Sequence, residues 1–235
     1  MHHPVKLAIM QPYFFPYLGY FQLLRAIDKF VIYDDVNFIK QGWINRNFIL
    51  GQCNPLRITV PLKQASSFMP IYEVQIAPIS GWKKRLLQTV FQAYSKAPFF
   101  NEVYPLMEEV VDEDCPTIAQ LATSSILAVI KYLDLPLKVE ATSRCYKNRN
   151  LKGQERVLDI CRIEACEKYY NLPGGINLYE RQAFQKSGVD LRFIQPRDVR
   201  YKQFECEFVP KLSIIDAMMF NDRNTVISYL DEYDC

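Results

Sequence analysis

The sequence predicts an α/β fold: a mostly parallel sheet in a single domain over 1–235, with a helical block inserted at about 80–133. Three observations carry this. A strand, a helix and a second strand fit within the first thirty-odd residues, the signature of a βαβ unit. Strand and helix patterns alternate again from about 137 onward. Between them, residues 80–133 show helical periodicity alone. At 235 residues, 49% hydrophobic and 23% charged, the chain has the composition of an ordinary globule. Its length is enough to bury about 70% of the unfolded surface.

The elements follow in order. Lys6-Leu7-Ala8-Ile9-Met10 is a short apolar run stopped by Gln11-Pro12, a buried strand. Residues 11–18, rich in proline and aromatics, form a stiff loop. Phe21, Leu23, Leu24 and Ile27 give a short helix over 19–27, and Phe30-Val31-Ile32-Tyr33 is a second strand ended by Asp34-Asp35. Residues 56–62 read as a third strand and 71–76 as a fourth. Ser80 is placed to cap a helix with the stripe Trp82, Leu86, Leu87, Val90, Phe91 and Tyr94. Helix continues over 102–111 after Pro98. Pro116 opens another helix with a wide apolar face from Ile118 to Leu133. Strand pattern returns at 137–141. A helix over 154–165, a strand at 168–171, a helix over 178–187 stopped by Gly188, a strand at 191–194 and helices near 213–220 and 225–233 complete the chain.

Composition excludes several chemistries. The two histidines, His2 and His3, both sit at the N-terminus, so a Ser-His-Asp triad, a Cys-His pair and most zinc enzymes are not expected. Eight glycines leave no way to draw a phosphate-binding P-loop or a G-x-G-x-x-G fingerprint. A net charge of +2 implies no basic nucleic-acid face. No segment has the length of a membrane span, and no apolar export segment opens the sequence. The seven cysteines contain no C-x-x-C, so reduced thiols in a cytoplasmic protein are expected. The residues do not identify a cofactor, and no cysteine quartet has zinc spacing.

Candidate site residues gather where strands end, since open parallel sheets bind ligands at the carboxyl ends of their strands. Gln11, Tyr13, Tyr17, Gly19 and Tyr20 follow the first strand and open the first helix, offering donors, stacking faces and a free helix N-terminus. Gly19 would let a ligand approach the backbone. Asp34 and Asp35 end the second strand and can hold Mg²⁺, accept a ribose hydroxyl or act as general base, with alternation along a strand turning only one of them to the site. Lys40, Trp43, Asn45, Arg46 and Asn47 form a dense recognition segment: cations for phosphate, an indole for stacking, amides for hydroxyls. Lys152 and Gln154 open a helix suited to an anion, and Gly174-Gly175 follows a strand as a turn or a substrate loop.

Taken together, these segments resemble the WbqC-like family. The resemblance rests on Met10-Gln11-Pro12-Tyr13-Phe14-Phe15-Pro16-Tyr17-Leu18-Gly19-Tyr20-Phe21-Gln22, Val31-Ile32-Tyr33-Asp34-Asp35-Val36 and Gly42-Trp43-Ile44-Asn45-Arg46-Asn47. It continues through Lys152-Gly153-Gln154, Gly174-Gly175, Leu212-Ser213-Ile214-Ile215-Asp216 and Phe220-Asn221. It implies a bacterial cytoplasmic protein of O-antigen or other surface-polysaccharide biosynthesis. The strand-loop-helix opening is also similar in layout to the H-x-G-H segment of nucleotidyltransferases, with Tyr17 and Tyr20 where the histidines would stand, and Lys211-Leu212-Ser213 faintly echoes a second synthetase loop. The fold expected is therefore Rossmann-like.

The leading functional expectation is a group transferase acting on a nucleotide sugar or another activated amino sugar, by acyl or aminoacyl transfer. In it Lys40 joins Asp34 and Asp35 as catalytic candidates, and the partners are a small-molecule substrate and a possible second copy of the chain in a homo-oligomer. The alternatives are nucleotidyl or adenylyl transfer, and a non-catalytic ligand-binding or scaffold role.

Overall fold

The computed structural model describes residues 4–205 and 207–235; His2 and His3 fall outside them. The elements in chain order are β1 (Val5–Met10), α1 (Leu18–Arg25), β2 (Lys29–Ile32), β3 (Arg46–Leu50), β4 (Pro55–Thr59), α2 (Trp82–Tyr94), α3 (Phe100–Asp112), α4 (Ile118–Leu133), β5 (Lys138–Glu140), α5 (Gly153–Ile163), β6 (Cys166–Asn171), α6 (Arg181–Lys186), β7 (Asp190–Phe193), β8 (Gln195–Pro196), α7 (Ile214–Phe220), α8 (Arg223–Leu230) and β9 (Tyr233–Asp234).

Five strands form a wholly parallel sheet in the spatial order β5-β2-β1-β6-β7. The chain winds outward from β1 to β2 and β5, then returns to β6 and winds outward to β7. This is the doubly wound, Rossmann-like layout, and its order reverses between β1 and β6. Period-two alternation separates the two faces. Leu7, Ile9 and Val31 pack with Val157, Ile160 and Phe184 under α5 and α6. Ala8, Phe30 and Ile32 face the larger core with Tyr20 and Leu24 of α1 and Ile214 and Met218 of α7. Buried residues of α2, α3 and α4 belong to that same larger core.

The helical block and the hairpin β3–β4 are both inserted between β2 and β5, neighbours in the sheet. Helix α4 starts on a capping box, Thr117 with Gln120, so Pro116 precedes the helix instead of opening it. Helix α2 starts after Gly81 in the left-handed region (φ 72°), so Ser80 does not cap it.

One strand expectation is corrected. Residues 71–76 hold a 3-10 turn over Ile71–Glu73, because the Glu73 and Val74 N–H groups donate back to the Pro70 and Ile71 carbonyls while the Tyr72 N–H reaches the distant Asp34 carbonyl. The strand expected at 56–62 is β4, paired antiparallel with β3 outside the parallel sheet. The thiol expectation is corrected at Cys53, which is disulfide-bonded; Cys115, Cys145, Cys161, Cys166 and Cys235 are free.

Candidate functional site

The loop after β1 is fixed by three distant elements. Phe14 and Phe15 are fully buried, and Phe15 is held at φ 41°, a conformation costly for an aromatic residue unless its surroundings impose it. Its N–H donates to Ser125 Oγ on α4 at 2.9 Å, and its carbonyl accepts from Asn47 Nδ2 at 2.6 Å and Ser213 Oγ at 2.7 Å. The Phe14 N–H donates to the Trp43 carbonyl at 3.1 Å, and Ile214 N–H to the Pro16 carbonyl at 2.9 Å. Asn47, expected to read a ligand, is buried and spends its amide on this loop; Asn45 donates to the Val60 carbonyl at 2.9 Å. Asn47 lies on β3 and Asn45 just before it, so a segment with the composition of a recognition loop builds the hairpin instead.

The tyrosines divide. Tyr20 is fully buried, donates to the Gln11 carbonyl at 2.9 Å and packs 5.5 Å from the Tyr13 ring, so it supports the loop from beneath. Tyr13 and Tyr17 are half-buried at the surface of the loop. Burial raises the pKa of all three, keeping them neutral donors. A Cβ on Gly19 would lie 2.4 Å from Tyr17 Cε2 and 3.1 Å from a Pro196 ring carbon. Gly19 therefore makes room for protein side chains, not for an approaching ligand. Helix α1 begins with no side-chain cap and no acidic residue in its first turn, which leaves its amides suited to an anion.

One strand over, Asp34 and Asp35 sit just beyond β2, and both are buried. The expected alternation does not separate them, because the strand has ended and both carboxylates turn toward Ser143. Asp34 accepts from Thr142 Oγ1 (2.9 Å) and the Ser143 N–H (3.0 Å), with Arg144 at 3.6 Å. Burial raises its pKa, against those hydrogen bonds. Asp35 accepts from the Ser143 hydroxyl and, at 2.6 Å, from Arg156 Nη2. Arg156 is itself buried, donates to Asn148 Oδ1 at 3.0 Å, and lies 5.0 Å from the Tyr33 ring centroid. Sequence reasoning passed over Arg156, Thr142 and Ser143. No local signal marks them, since they stand 108 to 121 residues along the chain from the acids they hold.

The remaining candidates lie along the same edge or in its connections. Lys40 is exposed and makes no ion pair among the described residues; Trp43 is 43% exposed with its ring edge-on to Phe48. Lys152 is exposed before α5. Gln154 Oε1 accepts from the Glu180 N–H at 2.9 Å, joining the starts of α5 and α6. Gly174 and Gly175 lie in a 3-10 turn, Pro173–Leu178; Gly174 faces open space, whereas a Cβ on Gly175 would crowd Asn171 at 3.0 Å. A hollow of roughly 700 Å³ lies elsewhere: an open groove between α2 and α3 lined by Ile79, Trp82, Leu87, Phe91 and Tyr104.

Five buried side-chain polar atoms among the described residues have no hydrogen-bond partner: Gln11 Oε1, Gln22 Oε1, Asn45 Oδ1, Arg46 Nε and Tyr132 Oη. Three of them, on Gln11, Asn45 and Arg46, belong to the two segments that the Phe14–Trp43 and Asn47 hydrogen bonds join. Buried polar groups are ordinarily paired, and these three, in the loop after β1 and at the start of β3, have no protein partner. Among the described residues no cluster of metal-ligating side chains occurs, and no helix is long and apolar enough to cross a membrane.

Comparison with known proteins agrees with the sequence motifs. The chain is similar to the uncharacterized protein Rv1507c of Mycobacterium tuberculosis (strain ATCC 25618 / H37Rv), at 28% identity over 227 residues, 96% of this chain and 97% of that one. No solved structure matches it. The model of the WbqC-like protein family matches residues 11–228, from the loop after β1 to α8, and the chain belongs to that family.

Proposed function

We propose that this protein is a group transferase of surface-polysaccharide synthesis, moving an acyl or aminoacyl group onto a nucleotide-linked or otherwise activated amino sugar. The observation that carries the reading is the chemistry of the unpartnered atoms. Gln11 Oε1 and Asn45 Oδ1 are acceptors, and Arg46 Nε is a cationic donor. A matching ligand offers N–H or O–H donors beside a negative group, as a phosphorylated amino sugar does. Tyr13 and Tyr17 add neutral hydroxyls, Trp43 a stacking face, and Lys40 a free ammonium at the rim. In this reading Asp34 and Asp35 are positioning residues, because their oxygens already accept from Thr142, Ser143 and Arg156. Nucleotidyl transfer is disfavoured: the helix start carries two neutral tyrosines, one of them wholly buried, where that chemistry needs positive charge.

A thermal-shift panel tests it. Nucleotide-linked amino sugars should raise the melting temperature; a ligand at 100 times its dissociation constant stabilises by about 2.7 kcal/mol. Arg46→Ala should weaken that binding by about 1.5–3 kcal/mol, the scale of a charged hydrogen bond. A shift with nucleoside triphosphates and none with sugars would favour nucleotidyl transfer. No shift with any sugar, donor or nucleotide would overturn the reading in favour of a scaffold role.

A further inference from the structure

We propose that Arg144 and Arg149, gathered on the ring of Tyr72, form a cradle for the diphosphate of the ligand. This rests on the nucleotide-linked reading above and adds a second anion site beyond the one at Arg46. The guanidinium carbon of Arg144 lies 4.7 Å from the Tyr72 ring centroid, and that of Arg149 lies 5.4 Å from it. Arg149 Nη1 also donates to the Tyr72 hydroxyl at 2.9 Å.

Two like charges on one ring repel each other, and an anion received by both relieves the repulsion. Their supply of negative charge from the protein is small. Arg144 faces Asp34 at 3.6 Å, but that carboxylate is already committed to Thr142 and Ser143. Arg149 pairs with no carboxylate among the described residues; Glu73, hydrogen-bonded to Tyr72, is the nearby acid. The segment 141–152 holds Arg144, Lys147, Arg149 and Lys152 and no Asp or Glu. Each Arg side chain keeps donors free for phosphate oxygens, which guanidinium groups bind in pairs.

The placement follows from the fold. Thr142 and Ser143 tie the segment after β5 to Asp34 at the end of β2, and the Tyr72 N–H donates to the Asp34 carbonyl at 2.9 Å. The cradle thus stands at the carboxyl edge of β5 and β2, while Gln11 stands at that of β1. Two strand spacings, about 10 Å, separate β5 from β1, a reach that a sugar joined to a diphosphate covers.

The test is calorimetry on the full chain with inorganic pyrophosphate, inorganic phosphate, uridine diphosphate and uridine. Pyrophosphate and uridine diphosphate should bind, phosphate more weakly, and uridine not at all. Arg149→Ala, an exposed position that leaves the fold intact, should weaken pyrophosphate at least tenfold. Arg149→Lys should recover only part of this, and Glu73→Gln should tighten binding. Failure of the wild-type chain to bind pyrophosphate, or equal binding by Arg149→Ala, would overturn the cradle. So would tighter binding to a single-stranded oligonucleotide than to pyrophosphate, which would make the patch a nucleic-acid face. If Arg149→Ala weakens pyrophosphate but no nucleotide sugar binds, the cradle stands and the transferase reading falls. If nucleotide sugars bind through Arg46 with no dependence on Arg144 or Arg149, the reverse holds.

Discussion

Arg156 shows what a single residue does in this molecule. Its guanidinium is buried against Asp35 and Asn148, and its positive charge is what allows Asp35 to be buried as well. Truncating one partner of such a pair leaves the other uncompensated, at a cost of about 3–5 kcal/mol. Arg156→Ala should therefore lower the urea midpoint strongly, and Arg156→Lys should not restore it, because an ammonium cannot reach both partners through a planar fork. Wild-type stability in Arg156→Ala would show that the pair contributes nothing. Gly19 makes a second case. A Cβ there drives into the Tyr17 ring with Pro196 alongside, so Gly19→Ala should cost about 1–3 kcal/mol of overpacking and shift the environment of Tyr17. That shift is readable as a change in near-ultraviolet circular dichroism. The Asp34-Asp35 pair was legible in the sequence as a polar end to a strand. Its partners were not: Ser143 and Arg156 lie 108 and 121 residues further along the chain, and nothing local marks them.

At the scale of elements, periodicity carried most of the fold. β1, α1, β2 and the helices α2 to α4 fall where apolar spacing puts them, because each buries one face or one stripe against a shared core. The hairpin β3–β4 did not. Asn45, Arg46 and Asn47 have the composition of a ligand-reading loop, and propensity runs against Asn in a strand. Tertiary hydrogen bonds override it: Asn47 Nδ2 serves the carbonyls of Phe14 and Phe15 and so couples β3 to the loop after β1. The site residues lost to the sequence were lost for the same reason, since an amide that holds a loop looks like one that reads a ligand. Asn47→Ala should leave the Phe14 carbonyl without its donor and the Phe15 carbonyl with Ser213 alone, costing about 1–3 kcal/mol. Hydrogen exchange should then quicken at the amides of Phe14 and Phe15 before it does in β1. Uniform quickening along the whole chain would mean the coupling is not local.

The whole molecule is closed by one buried acid. Asp216, on the first turn of α7, is wholly inaccessible. It accepts 2.7 Å hydrogen bonds from Tyr94 of α2, from Tyr201 and from Gln203, and Tyr94 Oη in turn accepts from the Leu50 N–H of β3. The inserted hairpin, the helical block and the C-terminal segment thus meet on one carboxyl group, and no cation pairs with it among the described residues. Burial raises its pKa, and the hydrogen bonds from Tyr201, Tyr94 and Gln203 only partly offset that. A carboxyl whose folded pKa exceeds the unfolded value of about 3.9 binds its proton more tightly in the native state. Its contribution is complete below the unfolded value and is lost as pH rises through the folded one. The difference in unfolding free energy between the wild-type chain and Asp216→Asn isolates this group, because Asp34 and every other carboxyl titrate alike in both. That difference should favour the wild type most below about pH 4 and should shrink as the pH is raised toward neutrality. Parallel stability curves would mean that Asp216 ionises as easily inside the protein as outside it, and that its three donors balance the whole cost of burying the charge.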